Sequence, residues 1–309
     1  MKKSKLTVLI PCHNEETTIG DVISQVSLLY PDSEIVVVDN ASSDRTAEIA
    51  ESLLATVVFE SQKGKGYAVI RGLSMIKSGH IIIIDGDSTY DVSDIAKISQ
   101  YLSDGFDLVV ANRISTAPSA YRRNHAIGNV LFSKLQKNLL QVDVEDVFSG
   151  YRGFTAAFAQ SIDFMSEGFE IETDLNMHAV VIGARVKNFD SKYDPRPEFS
   201  VSKLNTYRDG FLILLAMFRL LRKWRPFLFL GVPGCSIVCL ATMLFTVPYL
   251  EFLSTGKVSH IPTLVVSMSG LLGGVLLVLA GSIGQRVVQS SRESSRHAFR
   301  LLRILEHSD

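Results

Sequence analysis

Residues 80–91 read HIIIIDGDSTYD, in which four consecutive isoleucines are followed at once by two aspartates with a glycine between them. An uninterrupted β-branched run is typical of a strand that is buried on both faces of a sheet. Asp85 and Asp87 therefore leave the same strand end and can reach one divalent cation. Such hard oxygen ligands favour Mg²⁺ or Mn²⁺ bridging a nucleotide diphosphate. Asp-Gly-Asp is also ordinary turn chemistry, which leaves a purely structural role open.

The same order of strand, polar loop and helix is repeated on both sides of this motif. It predicts an α/β fold with a mostly parallel sheet that helices cover on both faces. Ligands of such sheets bind beyond the carboxyl ends of the strands. The predicted strands are Leu6–Ile10, Glu34–Val38, Thr56–Phe59, His80–Ile84 and Leu108–Ala111, and the predicted helices are Thr18–Tyr30, Asp44–Leu54, Gly66–Lys77 and Ser93–Ser103, with Asp44 and Ser93 as caps.

Two more loops at the carboxyl edge of this sheet carry residues suited to a nucleotide. In VVVDNASSDRT, residues 36–46, Asp39 ends a predicted strand and can accept hydrogen bonds from a base or a ribose. It could equally do no more than shape the turn. In QKGKGYAVIRG, residues 62–72, the glycines allow close backbone approach and the lysines could face phosphates, although the spacing of a Walker loop is missing.

Charge is distributed unevenly along the 309 residues, although 31 basic and 32 acidic side chains almost cancel. This balance gives no indication of a nucleic-acid partner. Two stretches near the carboxyl end are nearly free of ionisable residues. At about 1.5 Å per residue, each is long enough to cross a hydrocarbon core of about 30 Å. They predict a transmembrane hairpin over residues 226–285, with spans of about 227–250 and 261–284.

Basic residues flank the predicted hairpin on both outer sides, whereas few lie in the loop that connects the two spans. The positive-inside rule predicts an integral membrane protein whose large amino-terminal domain and both termini are cytoplasmic. Residues 206–225 are apolar on one helical face and end in a basic cluster, which is typical of an amphipathic helix in the membrane interface or of a packing helix. Residues 286–309 are predicted to form a basic cytoplasmic tail.

The order of these motifs resembles family 2 glycosyltransferases of the GT-A fold. PCHNEE at residues 11–16 is similar to the family's Pro-x-Tyr-Asn-Glu opening, with histidine in place of tyrosine. The resemblance covers essentially the first 210 residues and implies a nucleotide-sugar-binding domain over residues 1–205. Asp85 and Asp87 would hold the metal. Among the family's polyprenyl-phosphate sugar synthases a glutamine is frequent two residues after the second aspartate. Because Thr89 stands there in this chain, Asp91 is a candidate third ligand. The residues implied in nucleotide-sugar binding are Pro11, Asn14, Glu15, Asp39, Lys65, Asp85 and Asp87.

The hairpin narrows the resemblance to the polyprenyl- and dolichyl-phosphate sugar synthases. Three segments, residues 111–135, 145–154 and 195–210, resemble parts of these enzymes that contact the acceptor. Asp87 and Asp146 are the implied catalytic residues, and Asp146 either acts as a base or orients the sugar or an arginine. The residues implied in binding the acceptor phosphate are Arg113, Arg122, Arg123, Arg152, Arg196 and Lys203.

The resemblance implies metal-dependent, inverting transfer of a hexose from UDP-glucose or GDP-mannose to a polyprenyl phosphate, in the synthesis of a cell-envelope glycan. It also implies a homo-oligomer, such as a tetramer. Two alternatives are a membrane glycosyltransferase that acts on a glycan acceptor and a non-catalytic membrane subunit that binds nucleotide. Processive synthases carry a Gln-x-x-Arg-Trp motif, and the nearest match here, LLRKW at residues 220–224, lacks the glutamine.

Overall fold

The computed structural model describes residues 5–115, 144–162, 171–194, 218–219 and 221–308. The chain divides into two compact units. The first comprises Met1–Thr206 together with Ser295–Asp309, and the second comprises Tyr207–Ser294. The first unit has an α/β fold with a mixed, mostly parallel sheet, and the second contains long apolar helices.

The first unit is built on one seven-stranded sheet. Its strands are β1 Leu6–Cys12, β2 Glu34–Asp39, β3 Thr56–Phe59, β4 His80–Ile83, β5 Leu108–Ser115, β6 Arg152–Thr155 and β7 Val186–Tyr193. They lie in the order β3-β2-β1-β4-β6-β5-β7. Strand β6 runs antiparallel to both of its neighbours, and the other adjacent pairs are parallel. The predicted mostly parallel α/β sheet is therefore confirmed.

Helices pack on both faces of this sheet. They are α1 Ile19–Leu29, α2 Thr46–Ser52, α3 Lys65–Leu73, α4 Ile95–Ser103, α5 Ala156–Gln160 and α6 Ile171–Ile182. On one face, α1 buries Ile19, Val22, Ile23 and Val26 in the main apolar core, at the three- and four-residue spacing that gives a helix one apolar side. On the opposite face, α3 comes so close that a β-carbon at Gly72 would lie 2.3 Å from a methyl group of Leu9.

Every predicted strand and helix of the sheet domain is present, with ends shifted by a few residues. The prediction that Ser93 caps a helix is wrong. The carboxylate of Asp91 instead accepts from the Ser93 N–H at 2.9 Å and opens a short 3₁₀ turn, Val92–Asp94, before α4. Strands β6 and β7 were not predicted. In β6, Arg-Gly-Phe-Thr has little strand character until β4 and β5 enclose it.

The second unit contains α7, Val232–Thr255, and most of α8, Ile261–Ser308; a π-helical turn, Phe227–Gly231, precedes α7. Both helices are apolar and long enough to cross a membrane, with mean hydropathies of 2.1 and 2.2 over their most apolar windows. They pack through small residues: a β-carbon at Gly234 would lie 2.8 Å from the Gly274 carbonyl oxygen. Pairs of membrane helices commonly approach each other through such residues.

Residues 286–308 continue helix α8, and the last part of this helix belongs to the first unit. The Glu306 carboxylate accepts hydrogen bonds from the N–H groups of Ala156 and Ala157, at 3.1 and 3.3 Å. Phe299 is 3 % exposed. The segment predicted as a tail therefore contributes to the packing of the sheet domain.

Of the predicted interface helix, residues 206–217 lie outside the described residues, and residues 218–219 and 221–224 are helical.

Candidate active site

The aspartate at the end of β4 is paired with a lysine. The Nζ atom of Lys65, at the start of α3, lies 2.7 Å from Oδ1 of Asp85 and 2.8 Å from Oε1 of Glu172, in the first turn of α6. Burial lowers the pKa of Lys65, but the charges of the two carboxylates outweigh burial and raise it above its ordinary value. Lys65 is therefore a permanent cation at the carboxyl edge of the sheet.

Gly150 makes room for this ion pair. A β-carbon there would lie 2.4 Å from Oδ2 of Asp85 and 2.7 Å from Nζ of Lys65, too close for any side chain. The Gly150 N–H donates to the Tyr90 hydroxyl at 3.1 Å, which fixes this backbone beside the loop that follows β4. Sequence reasoning missed Gly150 and Tyr90, because their importance arises from contacts between segments sixty residues apart.

The second aspartate of the motif is held by its own loop. Asp87 is 5 % exposed, and its Oδ1 accepts from the hydroxyl of Thr89 at 2.6 Å. Ser88, between them, has a φ of 57°, a left-handed conformation that is uncommon outside glycine and is concentrated at functional sites. Thr89 thus supports Asp87 by a hydrogen bond. Asp91, the candidate third ligand, is engaged as the cap described above.

The described residues fit a divalent ion only in combination with a substrate. They contain no group of three His, Cys, Asp or Glu side chains arranged to hold a metal. Mg²⁺ is usually bound by one or two carboxylates together with substrate phosphates, and Asp85 and Asp87 supply such a pair. The contact between the Lys65 ammonium and Asp85 shows that this carboxylate attracts a cation. We conclude that the donor set fits a metal completed by a diphosphate.

The aspartate that ends β2 has an unsatisfied carboxylate oxygen. Asp39 is 4 % exposed, and its Oδ1 has no hydrogen-bond partner among the residues that the structure describes. A buried acceptor without a donor is costly, so this position suits a ligand that brings an N–H or O–H group. The next residue, Asn40, accepts from the Gly64 N–H at 2.7 Å and donates to the Gln62 carbonyl at 2.6 Å. Asn40 thereby holds the loop that leads to Lys65.

The buried thiol of Cys12 lies near several of the carboxylates predicted to bind the nucleotide sugar. Burial raises the pKa of Cys12, and the negative charges of Glu15, Asp85, Asp39 and Asp87 raise it further, in that order. A β-carbon on Gly86 would lie 2.7 Å from its sulfur atom. The carboxylates predicted to bind the nucleotide sugar and metal therefore share one electrostatic neighbourhood.

The opening motif mainly organises loops. Pro11 lies within β1, opposite Val38. Asn14 has a φ of 57°, and its Oδ1 accepts from the Ser43 N–H at 2.7 Å. The backbone N–H of Glu15 donates to the Thr46 hydroxyl at 2.8 Å. These contacts join the loop after β1 to the loop after β2.

A second ion pair lies at the end of β5. Arg113 donates from Nε and Nη2 to the two carboxylate oxygens of Asp146, at 2.6 and 2.8 Å, and its backbone N–H donates to the same carboxylate at 3.1 Å. Burial raises the pKa of Asp146, but the hydrogen bonds and charge of Arg113 outweigh burial and lower it. Asp146 is thus an ionised partner that orients Arg113.

Tyrosine rings connect the two ion pairs. The Tyr193 ring lies 5.6 Å from the Arg113 guanidinium carbon, and its centre is 5.1 Å from that of Tyr90. Burial raises the pKa of Tyr90, and so does the charge of Asp85, whereas Arg113 and Lys65 act in the opposite direction. Tyr90 therefore lies within the fields of both pairs.

The contacts of Arg152 do not favour its implied role in binding an acceptor phosphate. Its side chain is 1 % exposed and donates to the carbonyl oxygens of Ser149, Val147 and Glu172 and to Oδ1 of Asn176. Because its donors are committed to the protein, Arg152 holds the loop before β6 in place. Arg122, Arg123, Arg196 and Lys203 lie outside the described residues.

Comparisons with known proteins assign the family. A sequence profile described as "Glycosyl transferase family 2" matches residues 7–162. Glycosyltransferase AglJ of Haloferax volcanii is 32% identical over 294 residues, which cover 94% of this chain and 95% of AglJ. The chain belongs to glycosyltransferase family 2. It is therefore a glycosyltransferase, an enzyme that uses a nucleotide sugar.

Two further similarities involve a second archaeal relative of this glycosyltransferase and a solved structure. A dolichyl-phosphate hexose transferase of H. volcanii is 26% identical over 205 residues, which cover 66% of this chain and 89% of that protein. The crystal structure of glucosyl-3-phosphoglycerate synthase from Mycobacterium tuberculosis with Mn²⁺, UDP and glucosyl-3-phosphoglycerate superimposes with a TM-score of 0.56 at 22% identity, covering 71% of this chain and 79% of that one. The structural similarity confirms the GT-A fold alone.

Proposed function

We propose that this glycosyltransferase transfers a hexose from a nucleotide sugar to a polyprenyl phosphate, with inversion at the anomeric carbon, at the cytoplasmic face of a membrane. The observation that carries the proposal is the Arg113–Asp146 pair. It provides a positioned cation, and its carboxylate is already bound on both oxygens. A phosphate nucleophile needs a cation to hold it and needs no base, since it is already anionic near neutral pH.

The donor would bind at the carboxyl ends of β1, β2 and β4. Asp39 would accept from the base or ribose through its unsatisfied oxygen, and Pro11, Asn14 and Glu15 would form the adjoining wall. Lys65 would turn from Asp85 and Glu172 toward the diphosphate, where its charge offsets that of the phosphates. In α/β sheets, the loop that leads from the carboxyl end of a strand into a helix commonly binds phosphates.

Asp85 and Asp87 would hold a Mg²⁺ or Mn²⁺ ion together with that diphosphate. When bound, the metal would offset the negative charge that develops on the leaving nucleoside diphosphate. Crystal structures of the mycobacterial synthase contain UDP together with Mn²⁺ in one case and with Mg²⁺ in another, which supports either ion. Thr89 would keep Asp87 in position through its hydroxyl.

The acceptor phosphate would bind Arg113, which Asp146 and the Tyr193 ring hold in one orientation. Arginine suits this role because its fork matches phosphate oxygens bidentately. We further propose that Arg122, Arg123, Arg196 and Lys203 complete the acceptor site. Rate enhancement would come from positioning and charge stabilisation, with Asp146 as a positioning residue and not as a base.

The acceptor's lipid tail would lie in a bilayer that α7 and α8 cross. Their length and hydropathy support two spans, and the excess of Lys and Arg outside the hairpin supports a cytoplasmic catalytic domain with both termini on that side. The similarity to a dolichyl-phosphate hexose transferase supports a lipid-phosphate acceptor. We propose UDP-glucose or GDP-mannose as the donor and a homo-oligomer, such as a tetramer, as the assembly.

The test is transfer of radiolabelled sugar to polyprenyl phosphate by the full chain in detergent. UDP-glucose, GDP-mannose and UDP-N-acetylglucosamine are compared, each with Mg²⁺, with Mn²⁺ and with a chelator. We expect lipid-extractable label from one donor, lost with the chelator. Asp87→Asn is expected to lower the rate at least about 100-fold. Asp21→Asn, an exposed acidic residue on α1, is the matched control and should retain the wild-type rate.

Absence of lipid-extractable label with all three donors would contradict the polyprenyl-phosphate proposal and favour an enzyme that acts on a glycan acceptor or a subunit that only binds nucleotide. Transfer that persists fully in chelator would contradict the metal assignment. If Asp87→Asn transferred sugar at the same rate as Asp21→Asn, the proposed role of Asp87 in the site would be contradicted.

A further inference from the structure

A cluster of cationic side chains surrounds the single tryptophan of the chain, just before the π-helical turn of the second unit. The Lys223 ammonium lies 5.2 Å from the centre of the Trp224 ring, and the guanidinium carbon of Arg292, from α8, lies 5.8 Å from it. Nη2 of Arg292 also donates to the Trp224 carbonyl oxygen at 3.3 Å. We name Lys223, Trp224, Arg225 and Arg292 the basic–tryptophan cluster. It shares no residue with the glycosyltransferase site.

Two N–H donors of this cluster are buried. They are the indole Nε1–H of Trp224 and the Nε–H of Arg225, neither of which has a hydrogen-bond partner among the residues that the structure describes. A buried indole N–H normally finds a partner, and an unsatisfied buried donor calls for an explanation. The π-helical turn Phe227–Gly231 follows directly, and such turns are frequent at functional sites. Both donors could therefore bind an acceptor that the described part of the chain does not provide.

The missing acceptor has a definite chemistry. Two buried N–H donors on consecutive residues, with the cationic groups of Lys223 and Arg292 near the Trp224 ring, suit an anion that carries several oxygens, and arginine in particular fits phosphate. The cluster also immediately precedes an apolar helix, and tryptophan with basic residues is typical of the level at which lipid head groups lie.

We propose that the basic–tryptophan cluster is a binding site for the phosphate group of a membrane lipid. The proposal rests on the membrane placement of α7 and α8 proposed above, and it is independent of the transfer reaction. The phosphate could come from the polyprenyl carrier or from a phospholipid of the bilayer. The experiment distinguishes these two sources.

Lipid binding is measured on the delipidated full chain in neutral detergent, by native mass spectrometry and without any donor. The three titrated lipids are polyprenyl phosphate, phosphatidylglycerol and polyprenol, which lacks the phosphate. Trp224→Phe keeps an aromatic ring but removes the indole N–H, and Arg225→Lys keeps the charge but removes the Nε–H. We expect each variant to weaken binding of a phosphate-bearing lipid about tenfold, because a hydrogen bond to a charged group is lost.

Arg222→Lys is the matched control, since Arg222 is exposed in the same segment and the substitution also conserves charge. It should bind every lipid as the wild type does. A loss confined to polyprenyl phosphate would identify the carrier as the ligand, and a loss for both phosphate-bearing lipids would identify a bilayer phospholipid site. Unchanged affinities in both cluster variants, or an equal loss for polyprenol, would overturn the proposal. Because no donor is present, failure of the proposed transfer would not alter this result.

Discussion

Single residues of the site are held mainly by charge. Lys65 forms ion pairs with two carboxylates, that of Asp85 just after β4 and that of Glu172 in α6, which are far apart in the chain. Without it, Asp85 and Glu172 would lie near each other as a pair of like charges. The lysine therefore supports the folded site, and in the proposed function its charge would also offset that of the diphosphate.

Replacing this lysine tests both roles. Lys65→Met is expected to lower transfer about 100-fold, because the charge opposite Asp85 and the diphosphate is lost. The variant should also melt at a lower temperature than the wild type. Steady-state transfer and thermal unfolding are the measurements. Lys63→Met, an exposed lysine in the same loop, is the matched control, and an equal loss in that variant would show that only the loop's overall charge matters.

The Arg113–Asp146 pair predicts a pH dependence of stability. The pKa of Asp146 is lower in the folded chain than in the unfolded chain. Its contribution is therefore present above the unfolded value of about 3.9 and is lost as pH falls through the folded pKa. We expect Asp146→Asn to be less stable than the wild type by about 3 kcal/mol at pH 7, the usual effect of breaking a buried pair.

The difference between wild type and Asp146→Asn should begin to shrink as the pH falls below about 4, the unfolded value, and should vanish only below the lower folded pKa, where the wild-type carboxyl is also protonated. Unfolding in detergent at several pH values measures it. Asp104→Asn, at an exposed position after α4, should show no such trend. A difference that stays constant with pH would mean that hydrogen-bond geometry, and not charge, accounts for the stabilisation.

Among the elements, α7 and α8 depend on glycine at defined positions. A β-carbon at Gly234 would collide with the backbone of α8, whereas one at Gly273 would have no atom within 4 Å. We expect Gly234→Ala to destabilise the hairpin by about 1–3 kcal/mol through overpacking. Gly273→Ala should be neutral or slightly stabilising, because alanine favours the helix.

Thermal unfolding of both variants in the same detergent compares the two glycines directly. The comparison is informative because both substitutions add one methyl group to an apolar helix. Equal melting temperatures for the two variants would argue against close packing of α7 on α8 at this level.

At the scale of the whole molecule, the sheet domain is discontinuous in sequence. It includes Ser295–Asp309, which follow the second unit. Phe299 is buried, Arg303 lies 3.6 Å from Asp107, and Glu306 binds the first residues of α5. The packed glycosyltransferase domain therefore includes residues from both ends of the chain.

Phe299→Ala is expected to destabilise the sheet domain by about 3 kcal/mol, the usual cost of emptying a phenylalanine site in a core. The control is Leu301→Ala, since Leu301 is 64% exposed and its loss should change stability little. Unfolding followed by circular dichroism measures both. A similar small effect in the two variants would show that the carboxyl-terminal segment does not stabilise this domain.

The sequence alone determined the local and periodic features of the protein. The isoleucine run, the polar loops after each strand and the two apolar stretches predicted the mostly parallel sheet and a pair of long apolar helices. These features could be predicted because hydrophobic periodicity and hydropathy depend only on residues that are close together in the sequence. The motif order was sufficient for the family, which the comparisons confirmed.

Only the tertiary structure decided which charges meet. It paired Lys65 with Asp85 and Glu172, buried Arg152 among carbonyl oxygens and joined the end of α8 to the sheet domain. An arginine that binds backbone and one that binds phosphate look alike in sequence, because both need only a long cationic side chain near a loop. Their roles differ through burial and through partners that long-range packing brings together, and no local pattern encodes these.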